Sequence, residues 1–469
     1  MARSRNRQAD AVTAALRAFL ADQPEIDALR VAFSGGRDST VLLHALARLD
    51  SGRGLTAMHV HHGLHEHAQA QAEHCRRFAA RLGVDCEVRR IQVPGGSGEG
   101  LEAAARRLRY QSLAEGLSIG SCVLTAHHAG DQAETFLLAA LKGSGPSGLA
   151  AMPPLRALGL GWLGRPLLGV GAAAIAAYAQ AQDLKWVEDP SNRDTRFDRN
   201  YLRRRILPLL TQRFPVEPRL GAAAGLQAEA VEVLEGLLDP ILDRLYGPVP
   251  WTLRMDAFLR QPPGRRSWLL RRFLERAGAP APRRGPLLEF LRQLAEARPD
   301  SSPGLQWSGC SLRTYRGVLY LLRAGELAQP APPGTLLDWP SGAPEMTLPD
   351  GRVLTTAELR AVGIHSGEGV RIGFRQGGEV LRTPGGRRSL KTLMQARGIP
   401  PWQRPRVPLV RLGDEWVAAL WQHAERSPDR SACDHSPAAA VMPRRRGPVA
   451  APADGRRESG SARAPSDSD

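Results

Sequence analysis

Six residues near the N-terminus have the types and spacing of a phosphate-binding loop. An apolar run that ends at Phe33 leads into Ser-Gly-Gly-Arg-Asp-Ser, and an apolar helical pattern starts directly after it. The two glycines allow left-handed backbone geometry, so successive N–H groups can face one anion, and the serines add hydroxyl donors. The helix N-terminus also favours negative charge there. We therefore predict phosphate contacts from the whole loop: Ser34, Gly35, Gly36, Arg37, Asp38 and Ser39.

Asp38 brings a negative charge into a loop that otherwise suits anions. It would repel a phosphate unless a cation lay between them, so its presence predicts Mg²⁺ held indirectly through Asp38. The loop lacks the lysine of the Walker A motif, which excludes that class of nucleotide site. A plain glycine turn, with a polar residue capping the helix, is the alternative interpretation.

A second polar cluster, Thr125-Ala-His-His-Ala-Gly-Asp-Gln-Ala-Glu, follows the fourth predicted strand. Ligands of open α/β sheets bind outside the carboxyl ends of strands, which is where His127 falls. Asp131 and Glu134 are three residues apart, so on a helix their side chains share one face. Two carboxylates on one face suit a cationic or amino ligand. Capping of the helix N-terminus by the same carboxylates is the alternative interpretation.

A sheet must bring these residues together. Short β-rich runs at 30–33, 55–60, 86–93 and 122–126 each precede a segment with helical periodicity. Strands that alternate with helices of this length indicate crossover units. We therefore predict an α/β fold over residues 1–212, with a doubly wound parallel sheet.

The rest of the chain divides by composition. Residues 213–328 are predicted to form a mainly helical domain that closes on a hairpin, and residues 329–345 a Pro- and Gly-rich linker. Residues 346–426 have the short strands and turns of a small α+β domain. Residues 427–469 contain no aromatic side chain, so we expect a disordered tail.

The net charge and the spacing of the cysteines limit the possible classes of function. The 63 Lys and Arg against 47 Asp and Glu give a net charge of +16, which indicates a polyanionic partner such as nucleic acid. The 5 cysteines form no C-x-x-C pair, which excludes a disulfide scaffold and a cysteine zinc site. No apolar stretch approaches the ~18 residues of a transmembrane helix. We expect a cytoplasmic protein with no membrane partner.

The loop resembles the PP-loop of the N-type ATP pyrophosphatases, which cleave ATP between the α and β phosphates and adenylate an oxygen. Within that superfamily, the chain resembles the tRNA(Ile)-lysidine synthetases. The likeness covers most of the chain, and its most specific blocks lie in the first 210 residues. They are HVHHGL at 59–64, EAAARRLRY at 102–110, AHHAGDQAETFLL at 126–138, RPLLGV at 165–170 and EDPSNRDTRFDRNYLRRRILPLL at 188–210.

This resemblance implies an ATP- and Mg²⁺-dependent ligase. ATP would adenylate O2 of the wobble cytidine of a CAU-anticodon tRNA(Ile), and L-lysine would then replace AMP to form lysidine, so that the tRNA reads AUA instead of AUG. By resemblance, Asp131 and Glu134 hold the lysine. The bidentate guanidinium of Arg199, after the DPSN turn, predicts a contact with ATP or the tRNA phosphates, and a solvated basic helix start is the alternative interpretation. The catalytic set is Asp38, His127, Asp131 and Glu134. A tRNA cytidine thiolase is the alternative, although the isolated cysteines supply no thiolate cluster.

By the same resemblance, the central and C-terminal domains bind tRNA. Basic clusters in the chain predict the contacts Arg203, Arg271, Arg272, Arg387, Arg388 and Lys391, and ordinary solvated surface charge is the alternative interpretation. Two positions depart from the family pattern: Gly130 stands where many members carry an acid, and His65 replaces an arginine. The sequence leaves the oligomeric state open, with a homodimer as one option.

Overall fold

The computed structural model describes residues 2–49, 51–61, 68–92, 101–188, 194–298, 301–327, 330–332, 334–364, 369–383 and 386–421. The chain divides into two compact units, Met1–Arg244 and Leu245–Asp469. Among the described helices, none is both long and apolar enough to cross a membrane. His65 and the predicted tail at 427–469 lie outside the described residues.

The described part of the first unit contains one six-stranded sheet and the helices that connect its strands. The strands are β1 (Ala28–Ala32), β2 (Gly54–His61), β3 (Asp85–Arg90), β4 (Ser121–Leu124), β5 (Leu155–Leu158) and β6 (Gly161–Gly164). The helices are α1 (Ala2–Ala21), α2 (Arg37–Arg48), α3 (Ala68–Arg81), α4 (Leu101–Ala114), α5 (Ala129–Leu141), α6 (Pro146–Leu149), α7 (Ala172–Ala181), α8 (Asp198–Tyr201), α9 (Leu207–Thr211) and α10 (Val216–Leu245). A π-helical turn, Leu202–Ile206, joins α8 to α9.

The strand order is β3-β2-β1-β4-β6-β5, and only β5 runs antiparallel to its neighbour. β1 lies between β2 and β4, with Val31 opposite both Ala57 and Leu124. The carboxyl ends of β1 and β4 therefore meet at one edge, which brings the phosphate loop beside the second polar cluster. The predicted doubly wound α/β fold is confirmed, and the four predicted runs correspond to β1–β4.

Helices cover both faces of this sheet because side chains alternate along each strand. On one face, Leu29 and Val31 belong to a core that includes residues of α1, α2, α3 and α7. On the other face, Met58 and Val123 pack with Leu113 of α4. The two cores fix the strand ends that carry the polar clusters.

The hairpin of β5 and β6 has no counterpart among the predicted strands. Both strands are four residues long, and β6 begins and ends with glycine. A Cβ on Gly161 would lie 2.5 Å from the Ser121 carbonyl oxygen, and one on Gly164 would lie 2.6 Å from the Phe19 ring. Close packing therefore requires glycine here, although glycine in a sequence usually indicates a turn.

The described part of the second unit contains three sheets, in the orders β7-β10-β9-β8, β11-β14-β17-β18-β15-β16 and β12-β13. Their strands are β7 (Thr252–Arg254), β8 (Gly304–Trp307), β9 (Cys310–Tyr315), β10 (Val318–Arg323), β11 (Leu336–Asp338), β12 (Glu345–Thr347), β13 (Val353–Thr355), β14 (Val370–Gly373), β15 (Val380–Thr383), β16 (Gly386–Ser389), β17 (Leu409–Leu412) and β18 (Glu415–Ala419). The helices are α11 (Met255–Leu259), α12 (Pro263–Arg276), α13 (Arg284–Glu296), α14 (Ala324–Leu327), α15 (Thr356–Ala361) and α16 (Leu390–Ala396). A 3₁₀ turn spans Arg404–Arg406.

Two segments differ from the predicted organisation. β11 lies inside the predicted linker and pairs antiparallel with β14, with Leu337 opposite Ile372. Its three residues are too few to show the alternation of apolar and polar side chains that identifies a strand, and prolines and glycines surround them. α10 begins in the predicted central region but belongs to the first unit up to Arg244. Its Glu217 accepts the Ala172 N–H at the start of α7, at 3.4 Å.

Candidate active site

The phosphate loop follows β1 and is closed by its own serines. Ser34 Oγ lies 3.0 Å from Ser39 Oγ and accepts the Gly36 N–H at 3.4 Å. Gly36 precedes the first turn of α2, and it supplies no side-chain cap. The N–H groups of that first turn are therefore available to an anion.

Gly35 gives the loop its sharp turn. Its φ is +80°, and a Cβ at this position would lie 2.9 Å from the Sγ atom of buried Cys75. Cys75 Sγ lies 3.4 Å from His59 Nδ1, which in turn donates to the Phe33 carbonyl oxygen at 2.9 Å. A buried floor of side chains from α3 and β2 supports the loop, and only glycine fits above it.

The second polar cluster follows β4, and its residues form the N-terminal cap of α5. His128 is the N-cap: its Nδ1 accepts the Gly130 N–H at 3.0 Å, and Asp131 Oδ2 accepts the His128 N–H at 3.0 Å. This reciprocal pair is a capping box. The capping interpretation of Asp131 is therefore correct, but it uses only one of the two carboxylate oxygens.

Two arginines from the downstream block lie on the carboxylates of Asp131 and Glu134. Arg199 of α8 donates from Nε to Glu134 Oε2 at 2.8 Å and from Nη2 to Asp131 Oδ1 at 3.2 Å. Arg203, in the π-helical turn, donates from Nε to Glu134 Oε1 at 2.5 Å and from Nη2 to Asp131 Oδ1 at 2.7 Å. Glu134 is only 2% exposed. We call these four residues the carboxylate–arginine cluster.

The charges in this cluster stabilise one another. Burial alone would raise the pKa of Asp131, but His128 and Arg199, with smaller contributions from His127 and Arg203, outweigh it and hold that pKa below its usual value. Burial alone would likewise lower the pKa of Arg203, and the two carboxylates outweigh it. Both charged forms are therefore favoured inside the protein.

His128 connects the cluster to the phosphate loop. Its Nε2 lies 3.7 Å from Asp38 Oδ2 and 3.7 Å from Asp131 Oδ2. Asp38 also accepts from Arg37 Nε at 2.9 Å. The sequence predicts a catalytic role for His127, and that role stays a prediction. The member of the histidine pair that lies between the two motifs is His128. The doublet itself was the available signal, and the choice between its members depends on where α5 begins.

His127 has a different environment. Its Nδ1 lies 2.8 Å from Thr125 Oγ1. Burial is the main cause that lowers the pKa of His127 to about 3, and three nearby arginines add to it against the attraction of Asp131. His127 is therefore neutral near pH 7. It can orient a hydrogen-bonded group, but it does not supply a positive charge.

Three segments of the chain match known protein families. Residues 9–210 match the PP-loop domain, residues 253–320 the TilS substrate binding domain, and residues 370–433 the TilS substrate C-terminal domain. A tRNA(Ile)-lysidine synthase of Alkalilimnicola ehrlichii is 46% identical over 83% of this chain and 88% of its own length. The chain belongs to the tRNA(Ile)-lysidine synthase family.

Other relatives in this family agree. The tRNA(Ile)-lysidine synthase of Xanthomonas campestris pv. campestris is 42% identical over 83% of this chain and 89% of its own length. That of Xylella fastidiosa is 44% identical over 84% of this chain and 93% of its own length. The family resemblance predicted from the sequence motifs is confirmed, and the PP-loop domain implies the use of ATP.

The thiolase alternative has less support. The solved U34-tRNA thiolase NcsA from Methanococcus maripaludis, with its [4Fe-4S] cluster, overlaps with a TM-score of only 0.40 at 14% identity, over 48% of this chain and 80% of that chain. That overlap is too small to bear on function. Burial raises the pKa of Cys75 and of Cys122 to about 12, so neither thiol ionises readily.

The predicted tRNA contacts outside the cluster lie on the second unit. Arg271 is half-buried on α12, and its neighbour Arg272 donates to Glu275 Oε2 at 3.1 Å. Arg387 and Arg388 lie on β16, in which every residue is exposed, and Lys391 is exposed on α16. Their contact with tRNA stays a prediction, and so does that of Arg203, whose guanidinium already binds two carboxylates.

Proposed function

We propose that this protein joins L-lysine to C2 of the wobble cytidine of a CAU-anticodon tRNA(Ile). Cytosine O2 attacks the α-phosphorus of ATP, the bond to the β-phosphate oxygen breaks, and pyrophosphate leaves. The ε-amine of lysine then attacks C2, the C2–O2 bond breaks, AMP leaves and the amine loses a proton. The relatives' shared name supports this reaction. One observation supports it most strongly: His128 lies between Asp38 of the phosphate loop and Asp131 of the buried carboxylate pair.

Asp38 fits an indirect magnesium role. Its side chain is 34% exposed at the mouth of the loop, and no group of three or more potential ligands surrounds it among the described residues. Mg²⁺ commonly takes one or two carboxylates and completes its shell with water and substrate phosphates. When bound, it would offset charge on the phosphates. Asp38→Asn should therefore abolish tRNA-dependent pyrophosphate release, and normal release by that variant would remove Asp38 from this role.

Asp131 and Glu134 are proposed to receive the lysine amino groups. Each carboxylate has about four lone-pair sites. Arg199, Arg203 and the His128 N–H occupy six of the resulting eight or so, so a further donor can bind without expelling the arginines. The amine has a reference pKa of ~10.4 and attacks only when neutral. A carboxylate of this pair, or a water molecule on it, would take the proton.

One incubation tests the proposal. The protein is mixed with ATP, Mg²⁺, isotopically labelled lysine and a CAU-anticodon tRNA(Ile) transcript, and the digested nucleosides are analysed by mass. We expect label in a modified cytidine, release of AMP and pyrophosphate, and no reaction on a matched transcript whose wobble cytidine is replaced by uridine. Unlabelled tRNA, or a mass gain from sulfur in the presence of a sulfur donor, would overturn the proposal.

The enzyme class and location follow from this reaction. Formation of a carbon–nitrogen bond driven by ATP cleavage makes the protein a ligase. Its substrate tRNA and the four free cysteines among the described residues suit the reducing cytoplasm. Fractionation of cells with an antibody against the protein tests the location, and enrichment in the membrane fraction would contradict it.

A further inference from the structure

Four arginines converge on one tyrosine in the first unit, outside the carboxylate–arginine cluster. The guanidinium carbons of Arg106, Arg109 and Arg156 lie 5.2, 5.6 and 5.2 Å from the centre of the Tyr110 ring. Burial alone would raise the pKa of Tyr110, but these three arginines and Arg165 outweigh it and lower it. Arg106 and Arg109 come from α4, whereas Arg156 is on β5 and Arg165 follows β6. We call this group the Tyr110 cluster.

The Tyr110 cluster lacks the acids that neutralise the arginines of the carboxylate–arginine cluster. Among the described residues, no carboxylate pairs with Arg106, Arg109, Arg156 or Arg165, whereas Arg199 and Arg203 share two. Arg165 is only 4% exposed, and its Nε has no hydrogen-bond partner. The buried hydroxyl of Tyr110 interacts with the guanidinium groups of Arg109 and Arg165, and it has no acceptor for its own proton. Four like charges around one partly buried ring, with unfilled donors on Tyr110 and Arg165, favour the arrival of an anion.

The Tyr110 cluster adjoins the active site but is separate from the phosphate loop. Thr125, just after β4, donates its N–H to the Gly164 carbonyl oxygen, and Arg165 comes next in the chain. Arg165 is thus one strand away from His127 along the carboxyl edge of the sheet. Two strand spacings, about 10 Å, separate β6 from β1. The Tyr110 cluster is therefore too far from the phosphate loop to bind the same phosphate.

We propose that the Tyr110 cluster binds a backbone phosphate of the RNA strand that carries the target nucleoside. Arginine guanidinium groups form charge-assisted, bidentate contacts with phosphate oxygens, and the Tyr110 hydroxyl and Arg165 Nε add two donors. Such a contact, next to His127, would set the distance between the RNA backbone and the ATP site. The inference rests on the proposed function, because it assumes that RNA is the substrate.

The test is tRNA binding as a function of salt, without ATP or lysine. Replacing Arg106 and Arg156 together by Gln removes two cations from the Tyr110 cluster. The slope of log affinity against log salt should fall by roughly 0.7–0.9 for each phosphate that these arginines neutralise. Arg81→Gln is the matched control, because Arg81 also lies over an aromatic ring, Phe78, at 5.4 Å but outside the cluster. Tyr110→Phe should weaken binding without changing the slope.

Kinetic measurements identify the source of the phosphate. We expect an unchanged KM for ATP and unchanged inhibition by added pyrophosphate. An unchanged salt slope with a raised ATP KM, or with weaker pyrophosphate inhibition, would assign the Tyr110 cluster to those phosphates and overturn the proposal. If the salt slope, the ATP KM and the pyrophosphate inhibition are all unchanged and the melting temperature is normal, the Tyr110 cluster only stabilises the fold and the proposal is wrong. If the double variant fails to fold, exposed Arg106→Gln alone is used. A wild-type protein that binds tRNA but forms no lysidine would refute only the proposed function.

Discussion

At the scale of single residues, Glu134 and Arg203 are bound to each other, so each variant serves as a control for the other. The sequence alone suggests that a lysine-binding Glu134 could be distinguished from a helix cap by melting temperature. The structure changes that design, because Asp131 makes the cap and Glu134 is buried under two arginines. Loss of either partner leaves the other with only one counter-charge, Arg199 for Glu134 or Asp131 for Arg203, and both variants should therefore melt earlier.

Lysine affinity should separate the two variants. Glu134→Gln removes a charge-assisted contact of about 1.5–3 kcal/mol, so the KM for lysine should rise roughly ten- to a hundredfold. Arg203→Gln leaves both carboxylates in place and frees further lone pairs on them, so the lysine KM should stay level or fall. Steady-state assays of lysidine formation on both proteins measure this. Equal rises in KM would mean that the pair acts only by stabilising the fold.

His127 should shape the dependence of stability on pH. Its pKa of about 3 in the folded protein lies below the unfolded value of ~6.5. Between these values the unfolded chain binds a proton that the folded protein excludes, so stability falls as the pH drops through this window, by up to ~1.4 kcal/mol per pH unit. His127→Gln cannot titrate, and its melting temperature should fall less between pH 6.5 and 4.5 than that of the wild type. Parallel curves would contradict the buried, neutral histidine.

At the scale of elements, sequence patterns locate the loop, β1–β4 and the second polar cluster, because short β-rich runs followed by helical periodicity are local signals. They missed the β5–β6 hairpin, whose glycines satisfy contacts with Ser121 and Phe19 that are distant in the chain. They also treated capping and ligand binding by Asp131 as alternatives, although its two oxygens serve different partners. The pairing of Arg199 and Arg203 with α5 was not predictable, since it joins residues more than 60 positions apart.

The phosphate loop offers a test of why glycine is needed. Gly35→Ala forces a side chain into a left-handed backbone, which costs roughly 1–2 kcal/mol, and also pushes Cβ against Cys75 Sγ. Gly116→Ala is the matched control, with a φ of +71° and no atom within 4 Å of the new Cβ. We expect both to lower the melting temperature, but only Gly35→Ala should raise the KM for ATP. Adding Cys75→Ala should recover part of that loss, and no recovery would show that the buried thiol does not limit the loop.

At the scale of the whole molecule, the arginines that give the chain its surplus of positive charge differ in how far acidic neighbours neutralise them. Arg387 and Arg382 share one carboxylate, that of Glu415, at 3.8 and 3.3 Å, and both side chains are exposed on the β15–β16 hairpin. Arg292 of α13 is the opposite case, because Glu289 and Glu296 both pair with it. A net charge of +16 therefore does not mean that every exposed arginine is available to RNA.

The β15–β16 hairpin should act on tRNA affinity and not on chemistry. Replacing Arg387 and Arg388 together by Gln removes two exposed charges that lie outside the first unit, where the phosphate loop and the carboxylate–arginine cluster are built. If both contact phosphates, the slope of log affinity against log salt should fall by roughly 1.4–1.8, since each neutralised phosphate accounts for about 0.7–0.9. At saturating tRNA, the rate of lysidine formation and the KM for lysine should match the wild type. Arg292→Gln, which removes an arginine already neutralised by two acids, should leave the slope unchanged. Equal slopes for the wild type and the double variant would mean that Arg387 and Arg388 are solvated surface charges that do not contact tRNA. A reduced maximal rate would mean that this hairpin also helps to position the anticodon.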